Sequence, residues 1–323
     1  MGGLVKTREY RFRFGPAGGE TRLFFGAALP SPGEIEAGFD EAGLGVSGAL
    51  LVCDGNTAFF AGKISGGAPV CVLPPGESEK NWLSIEKILL AAHRAGLGRD
   101  SLFIGVGGGV ISDLTAFAAS VYMRGARLCL VSTSLLGMAD AALGGKTGFD
   151  LFGIKNMAGT FYPAQAVYLA MESLATLPKA EWKSGMAELI KTAVLDDDNA
   201  MFEKAASLRG SFTAGLEGPG QTADGLLLSC GEALAPLIAR SMEIKGRIVE
   251  ADPKETGTRR ALLNLGHSFG HALEAAAGLG KITHGEAVAW GMVRAAGLGR
   301  LCGITPGPGW RRLRSLSGLT DTK

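Results

Sequence analysis

Short apolar runs alternate with amphipathic stretches over the first half of the chain. The runs ALLVCDGN, APVCVLP, SLFIGVGGG and RLCLVSTS each end in turn-forming residues, which predicts buried strands. Between them, ESEKNWLSIEKILLAAHRAGL carries apolar residues at helical spacing and ends near a glycine, which predicts a helix. Strands that alternate with helices favour an α/β domain, Rossmann-like, with a parallel sheet and flanking helices. We predict that this domain spans residues 1–170.

Beyond residue 170 the apolar residues recur at helical spacing, and strand-like runs no longer alternate with them. The stretches EWKSGMAELIKTAVL, DGLLLSCGEALAPLIARSMEIKGRIVEA, ALLNLGHSFGHALEAAA and GEAVAWGMVRAAGLGRL are each predicted to form a helix. The intervening RGSFTAGLEGPGQTADG is rich in glycine and small polar residues, which predicts a loop. We therefore predict an all-α C-terminal domain over residues 171–323.

Charge and cysteine usage narrow the class of protein. The 32 basic and 31 acidic residues nearly cancel, which disfavours nucleic acid or an acidic membrane surface as a partner. The most apolar run, SLFIGVGGGVISDLTAFAASVYM, is interrupted by Asp113 and by a triple glycine, so a strand and a helix explain it better than a membrane span. The start of the chain lacks the apolar core of a signal peptide, and the five scattered cysteines suit a reducing compartment. We expect a cytoplasmic protein.

Three of the four histidines lie close together near the end of the sequence. His267 and His271 are four apart and share one face of a helix, and His284 precedes the next helix. Neutral imidazoles and a carboxylate make a catalytic zinc site. The stretch HSFGH lacks the glutamate of the HExxH motif, so the pattern does not decide which of the first two histidines is a ligand. Glu188, three residues before Lys191, either forms a solvated ion pair or completes the metal set.

Glycine-rich turns provide candidate phosphate sites. FIGVGGGVISD places three glycines between a strand and a helix start, where backbone N–H groups can bind phosphate. It does not fit GxGxxG, so a packing turn is an equal interpretation. Asp54 in DGN either binds a ribose hydroxyl or only forms a turn. STSLLGMADAALGGKTG offers Thr133, Ser134, Asp140 and Lys146 without the full P-loop spacing, which disfavours ordinary NTP hydrolysis.

Taken together, the motifs resemble the 3-dehydroquinate synthase family, within the wider group of sugar-phosphate cyclases. The similarity runs through PPGESEK, GGGVISD, YMRG, STSLLGMADAALGGKT, IKNMAGTFYP, LATLP, GMAELIK, ETGTRRALLNLGHSFGHALE and HGEAVAWGM. These motifs follow the family's order and cover most of residues 50–295. The ordered set is far more specific than any single motif.

The resemblance implies a dehydroquinate synthase-like fold and a lyase activity. The expected substrate is a sugar acid phosphate, 3-deoxy-arabino-heptulosonate 7-phosphate, and the products are 3-dehydroquinate and phosphate. In this family a hydroxyl is transiently oxidised by NAD, phosphate is eliminated, the hydride returns, and an intramolecular aldol step closes the ring. The reaction belongs to the shikimate pathway of aromatic amino acid biosynthesis.

The resemblance also implies a role for individual residues. The metal, Zn²⁺ or alternatively Co²⁺, would be bound by Glu188, His267 and His284. Residues expected to bind NAD are Asp54, Asn56, Glu77, Lys80, Gly108, Gly109, Val110, Asp113, Thr133, Ser134, Lys146, Lys155 and Thr176. Residues expected to meet the substrate are Asp140, Lys146, Asn156, Lys191, Lys245, Arg260, Asn264 and His271. Arg124 would reach the substrate phosphate across a homodimer interface.

Two departures from the family pattern leave alternatives open. The end of the chain, GWRRLRSLSGLTDTK, does not match the family's C-terminal helical portion with its Asp-Lys-Lys motif, so we expect a short C-terminus. One extra residue between Gly257 and Asn264 makes Arg259 and Arg260 compete for the substrate arginine, and spacing favours Arg260. The alternatives are a sister cyclase with another sugar phosphate and a non-catalytic homologue.

Overall fold

The computed structural model describes residues 7–14, 19–197, 199–217, 222–278 and 281–305. Its contacts divide the chain into two compact units. The first unit comprises Met1–Thr133 and Ala141–Ser173, and the second comprises Ser134–Asp140 and Leu174–Lys323. The short segment Ser134–Asp140 thus belongs with the helices of the second half.

A seven-stranded sheet forms the first unit, in the order β1-β2-β9-β6-β5-β3-β4. The strand β1 pairs antiparallel with β2, and every other pair in this sheet is parallel. This confirms the predicted parallel sheet. The strands are β1 Arg8–Arg13, β2 Glu20–Gly26, β3 Ala49–Asp54, β4 Val70–Leu73, β5 Leu102–Gly107, β6 Arg127–Ser132 and β9 Ala166–Ala170, with a separate hairpin of β7 Phe149–Leu151 and β8 Ile154–Ala158.

Four α-helices accompany the sheet among the described residues of the first unit. They are α1 Pro32–Glu41, α2 Ala58–Ile64, α3 Trp82–Arg94 and α4 Gly109–Val121. The helix α1 begins at a capping box in which Ser31 and Glu34 bond each other's backbone N–H. The helix α3 begins at Asn81, whose side chain accepts from the Ser84 N–H, and it buries Ile85, Ile88 and Ala92 along one face, as the periodicity predicts.

The four predicted strands are confirmed as β3 to β6, while β1, β2 and β9 were not predicted. The strand β1 reads REYRFR, and most of its side chains are exposed, so it lacks the apolar run that marks a buried strand. The strand β9 is buried throughout because it lies between β2 and β6 in the interior of the sheet. Whether a strand lies inside the sheet or at its edge therefore could not be predicted from the length of its apolar run alone.

The second unit is helical, as predicted. Its helices are α5 Lys179–Val194, α6 Ala200–Ser207, α7 Arg209–Glu217, α8 Ala223–Ala251, α9 His267–Ala277 and α10 His284–Leu301. Among the described residues, none of the helices has both the length and the hydropathy needed to cross a membrane.

Two local predictions in this unit were wrong. RGSFTAGLEGPGQTADG was predicted to be a loop, but its first part forms α7, which buries Phe212 and Leu216 one turn apart. Burial of these two side chains outweighs the low helix propensity of the glycine and serine. The stretch ALLNLGHSFGHALEAAA is interrupted: a 3₁₀ turn covers Arg260–Asn264, and α9 starts only after Gly266, which adopts a φ of 84°.

Candidate active site

Three helices of the second unit bring Glu188, His267 and His284 together. Glu188 lies in α5, His267 is the first residue of α9, and His284 is the first residue of α10. The Oε1 atom of Glu188 is 3.5 Å from Nε2 of His284 and 3.9 Å from Nε2 of His267. One ligand atom from each residue lies within 4.8 Å of the others. We call these three residues the histidine cluster.

The start of α10 is held directly against α5. The N–H of Gly285 donates to Oγ of Ser184 at 3.0 Å, and a side chain at Gly285 would lie 2.3 Å from the Ser184 backbone. A capping box between Thr283 and Glu286 fixes the first turn of α10. Since Ser184 precedes Glu188 by one helical turn, this contact places His284 beside that carboxylate.

The helices α9 and α10 also approach closely. A side chain at Gly291 of α10 would lie 2.1 Å from the backbone oxygen of Gly266, just before His267. Glycine at this position therefore allows the two backbones to meet. The rings of His267 and His284 are consequently 5.2 Å apart, measured between centroids.

A buried chain of opposite charges continues from Glu188. The ammonium of Lys191 forms a close ion pair with Glu188 and lies 3.7 Å from Oδ2 of Asp140. Lys245 in α8 in turn contacts Oδ1 of Asp140 at 2.6 Å and donates to the Asp140 backbone oxygen. Lys191 is almost fully buried, and so is Glu188. Each buried charge thus has an opposite charge beside it.

These neighbours decide the protonation of the carboxylates. Burial alone would raise the pKa of Glu188, but the ammonium of Lys191 lowers it to about 2. Burial would also raise the pKa of Asp140, but Lys191 and Lys245 hold it well below its ordinary value. Burial lowers the pKa of Lys245, despite the opposing effect of Asp140. Both carboxylates are therefore ionised at neutral pH.

The two histidines of the cluster differ in their pKa. Burial lowers the pKa of His267 to about 4. Burial would also lower the pKa of His284, but Glu188 and Glu274 raise it to about 9. His267 is therefore a neutral imidazole at neutral pH, the form that binds a metal.

The donor set suits a divalent transition metal. One carboxylate oxygen and two imidazole nitrogens converge, and three such ligands leave positions open for substrate or water. Within the described residues, neither oxygen of Glu188 accepts a hydrogen bond of ordinary geometry. The separations of Glu188 Oε1 from the two histidine nitrogens, 3.9 and 3.5 Å, exceed the usual hydrogen-bond length of about 2.7–3.2 Å.

The predicted substrate residues Arg260 and Asn264 lie in the turn that follows α8. Arg260 is buried and donates to the Pro253 backbone oxygen, whereas Arg259 is exposed. Burial thus distinguishes the two arginines, and the substrate role of Arg260 stays a prediction. Asn264 is exposed, and its Nδ2 donates to Oε1 of Glu255 at 2.6 Å.

In the first unit, Lys80 is the centre of a second cluster. Its buried ammonium contacts Oδ2 of Asp113 at 2.5 Å and Oδ1 of Asn156 at 2.6 Å. The backbone N–H of Asp150 donates to the Lys80 backbone oxygen at 2.7 Å, which holds the hairpin β7–β8 beside this group. Burial would lower the pKa of Lys80, but Asp113 raises it above its ordinary value. We call Lys80, Asp113 and Asn156 the Lys80 cluster.

Other predicted NAD residues lie at the carboxyl edge of the same sheet. Because β5 pairs in parallel with both β3 and β6, the ends of these strands at Asp54, Gly108 and Thr133 lie side by side. The helix α4 begins directly after β5 at Gly109, so its first N–H groups point to this edge. Oδ1 of Asp54 also accepts from the backbone of Asn56 and Thr57, so the turn interpretation holds for that oxygen.

The structure does not group every predicted residue with these clusters. Lys155 forms an ion pair with Glu77 at 3.8 Å. Lys146 and Arg124 are exposed in the first unit, and Arg124 adopts a left-handed φ of 68°. Ser134 and Thr176 belong to the second unit, as does the exposed His271, whose ring lies 5.5 Å from that of His267.

Two carboxylates near the site were missed from the sequence. Glu274 is buried in α9, and its Oε1 lies 3.9 Å from Nδ1 of His284. It follows His267 by two helical turns on the same face, a spacing that could have indicated it. Asp252 is buried and accepts from the backbone N–H groups of Thr256, Gly257 and Arg260, and no sequence pattern indicated that role.

Comparison with known proteins identifies the family. Residues 70–184 match the family described as 3-dehydroquinate synthase N-terminal, and residues 185–319 match 3-dehydroquinate synthase C-terminal. The chain belongs to the 3-dehydroquinate synthase family. One member, the 3-dehydroquinate synthase of Colwellia psychrerythraea, is 42% identical over 250 residues. These residues make up 77% of this chain and 66% of that relative, so the match spans slightly less than two thirds of the relative's length.

Solved structures related to the family share the fold. A 2-deoxy-scyllo-inosose synthase complexed with carbaglucose-6-phosphate, NAD⁺ and Co²⁺ is 25% identical, with a TM-score of 0.80 over 98% of this chain and 83% of that chain. The 2-epi-5-epi-valiolone synthase of Streptomyces hygroscopicus, with NAD⁺ and Zn²⁺ bound, is 26% identical, with a TM-score of 0.76 over 93% of this chain and 80% of that chain. The predicted fold class is therefore confirmed.

Proposed function

We propose that this chain is a 3-dehydroquinate synthase, a lyase that converts 3-deoxy-arabino-heptulosonate 7-phosphate to 3-dehydroquinate and phosphate. The observation that carries the proposal is the meeting of Glu188, His267 and His284 beside buried lysines, in a chain 42% identical to a curated 3-dehydroquinate synthase. We further propose that the enzyme works in the cytoplasm as a homodimer.

Two cofactors are part of the proposal. Glu188, His267 and His284 would hold Zn²⁺ or Co²⁺, which as a Lewis acid polarises a substrate oxygen when bound. The Lys80 cluster and the carboxyl edge of the sheet would hold NAD, which accepts and returns a hydride within one turnover. The support is the ligand set itself and the bound NAD⁺ and metal in the related solved structures.

The charged side chains of the second unit would bind and orient the substrate. The substrate carries a carboxylate and a phosphate, and both are recognised by Arg and Lys. Arg260 is buried and fixed by the Pro253 backbone oxygen, so its guanidinium would meet an anion with little loss of side-chain entropy. Lys191 and Lys245 would meet substrate oxygens while Asp140 keeps both ammonium groups in place.

His271 would move a proton beside the metal position. It lies one turn after His267 on α9, and it is exposed where His267 is partly buried. An imidazole can take a proton at one ring nitrogen and return it. Loss of His271 would therefore slow turnover while the metal remains bound.

The experiment compares three substrates. Purified chain with NAD and Zn²⁺ is incubated with 3-deoxy-arabino-heptulosonate 7-phosphate, with a heptulose phosphate that lacks the carboxylate, and with glucose 6-phosphate. We expect phosphate release and 3-dehydroquinate, identified by NMR, from the first substrate alone. Faster turnover of either other substrate would replace the proposal with a sister cyclase. Binding of Zn²⁺ and NAD without turnover of any substrate would indicate a non-catalytic homologue.

A further inference from the structure

The imidazole of His284 lies between two carboxylates. Its Nε2 is 3.5 Å from Oε1 of Glu188, and its Nδ1 is 3.9 Å from Oε1 of Glu274. Glu188 belongs to the histidine cluster, whereas the proposed reaction gives Glu274 no part. Both carboxylates are buried, while the side chain of His284 is 34% exposed.

We infer that Glu274 is a positioning residue: its carboxylate accepts the Nδ1–H of His284, so that Nε2 is the nitrogen that binds the metal. The inference rests on the proposed metal site at Glu188, His267 and His284. An imidazole that binds a metal through one nitrogen commonly donates the other N–H to a carboxylate or a backbone carbonyl. That second bond fixes both the tautomer and the ring orientation.

The placement of Glu274 favours this role over a general packing role. It lies in HALEAAA, where its neighbours along α9 are mostly apolar, yet its side chain is only 7% exposed. Burial of a carboxylate costs free energy unless a donor or a cation compensates it. The close packing of α9 on α10 puts His284 within reach as that donor.

His267 shows the same arrangement with a different acceptor. Its Nδ1 lies 3.4 Å from the backbone oxygen of Leu265, and its Nε2 faces Glu188. Both histidines thus direct Nε2 to the carboxylate of the cluster and Nδ1 to an oxygen outside it. With a metal on Nε2 of each ring, this common orientation would leave the hydrogen on Nδ1 of both.

A second metal position is the competing explanation. His271, Glu274 and His284 also place one ligand atom each within 4.8 Å of the others. A neutral imidazole has one lone pair and one N–H. If Nε2 of His284 binds the metal beside Glu188, its Nδ1 carries the hydrogen and cannot bind a second cation. The 3.9 Å between Nδ1 of His284 and Oε1 of Glu274 is longer than a hydrogen bond of about 2.7–3.2 Å. A shift of about 1 Å would bring the two atoms within hydrogen-bonding distance.

The tautomer can be measured on the unaltered chain. Protein with ¹⁵N-labelled histidine rings is loaded with Zn²⁺ alone, and long-range ¹H–¹⁵N spectra identify the protonated nitrogen of each ring. His284→Ala assigns the signals. We expect a hydrogen on Nδ1 of His284 and zinc on its Nε2. Zinc on Nδ1 would overturn the inference, and a chain that binds no Zn²⁺ would overturn the proposed metal site with it.

Variants test the contribution to metal binding. Competition with a chromophoric chelator gives the Zn²⁺ affinity of the parent chain, of Glu274→Gln and of Glu274→Leu. We expect Glu274→Leu to bind Zn²⁺ about 10- to 100-fold more weakly. Glu274→Gln should lose less, since its amide oxygen can still accept from Nδ1. The Co²⁺ absorption spectrum should shift in the leucine variant.

The control is Asp196→Asn, which alters another buried carboxylate of the same unit. Asp196 pairs with Arg240 and accepts from the Met201 N–H. Its loss should lower thermal stability and leave the Zn²⁺ affinity unchanged. If a folded Glu274→Leu chain binds Zn²⁺ as tightly as the parent and has the same Co²⁺ spectrum, the inference about Glu274 is refuted. The proposed metal site would stand in that case. If the leucine variant fails to fold, the ring spectra of the parent chain decide.

Discussion

Gly285 lies against Ser184, with its N–H 3.0 Å from the serine hydroxyl and no room for a side chain above the Ser184 backbone. The contact joins the first turn of α10 to α5 one turn before Glu188. Two of the three proposed metal ligands therefore depend on one close approach between two helices. The third ligand, His267, depends on the approach of Gly291 to Gly266.

Gly285→Ala should separate α10 from α5. A methyl group at 2.3 Å from backbone atoms forces the helices apart, and overpacking of this kind costs about 1–3 kcal/mol of unfolding free energy. Zn²⁺ affinity should fall as well, because His284 moves away from Glu188. Urea unfolding and chelator competition measure the two effects.

Gly62→Ala is the control, since a side chain there meets open space in α2 and should not destabilise the chain. An alanine at 285 that leaves both quantities unchanged would contradict the packing argument.

Asp140→Ala should destabilise the second unit. It leaves the buried ammonium of Lys245 without its carboxylate and removes one of two carboxylates beside Lys191. Loss of one partner from a buried ion pair costs about 3 kcal/mol or more. Denaturant unfolding of the parent and the variant measures the difference. Replacing Lys245 with methionine in the same background should recover part of the loss, and no recovery would argue against the ion pair as its cause.

Asp113→Ala should weaken NAD binding. The substitution removes the 2.5 Å contact to Lys80 and leaves that buried ammonium with Asn156 as its remaining oxygen contact of the cluster. We expect the dissociation constant for NAD, measured by calorimetry, to rise at least about tenfold, as for loss of a charge-assisted hydrogen bond. Asp100→Asn is the control, because Asp100 is an exposed partner of Arg127 in the same unit. Equal NAD affinity in the parent and both variants would show that the Lys80 cluster is purely structural.

The ion pair of Glu9 and Arg22 should make stability depend on pH. The hydrogen bond from Arg22 lowers the pKa of Glu9 below its ordinary value of 4.5, although burial opposes the shift. A lowered carboxyl pKa stabilises the fold above the unfolded-state pKa, and this stability is lost as pH falls through the folded-state value. Parent and Glu9→Gln should therefore differ by up to about 1 kcal/mol at pH 7. Urea unfolding from pH 7 to pH 3 should show the difference vanish below the pKa of folded Glu9. A difference that stays constant with pH would contradict this assignment.

The sequence predicted the parts of the fold whose signal is local. The strands β3 to β6 are apolar runs closed by turn residues, and α3 carries its own cap and periodicity. The helix α7 has no such signal, since its stability comes from packing of Phe212 and Leu216. The assignment of Ser134–Asp140 to the second unit is likewise a tertiary property, seen where Ser241 bonds the Ala139 backbone oxygen.

The candidate site, like the fold, could be predicted from the sequence only in part. Glu188, His267 and His284 were chosen by resemblance to a family, and the structure brings them together. The spacing of His267 and His271 could not decide which one binds a metal, because both lie on one helix face. Glu274 was missed although its spacing from His267 on one helix face could have indicated it. Asp252 was missed because no sequence pattern relates it to the backbone N–H groups of Thr256, Gly257 and Arg260.

We propose that this enzyme uses bound NAD and a metal at the histidine cluster to release phosphate without net oxidation. The most direct measurement counts phosphate released from 3-deoxy-arabino-heptulosonate 7-phosphate per bound NAD, with Zn²⁺ present and absorbance at 340 nm recorded. We predict many phosphates per NAD, no accumulation of NADH, and loss of release in His267→Ala. Phosphate release that continues in His267→Ala, or that requires one NAD for each phosphate, would contradict this proposal.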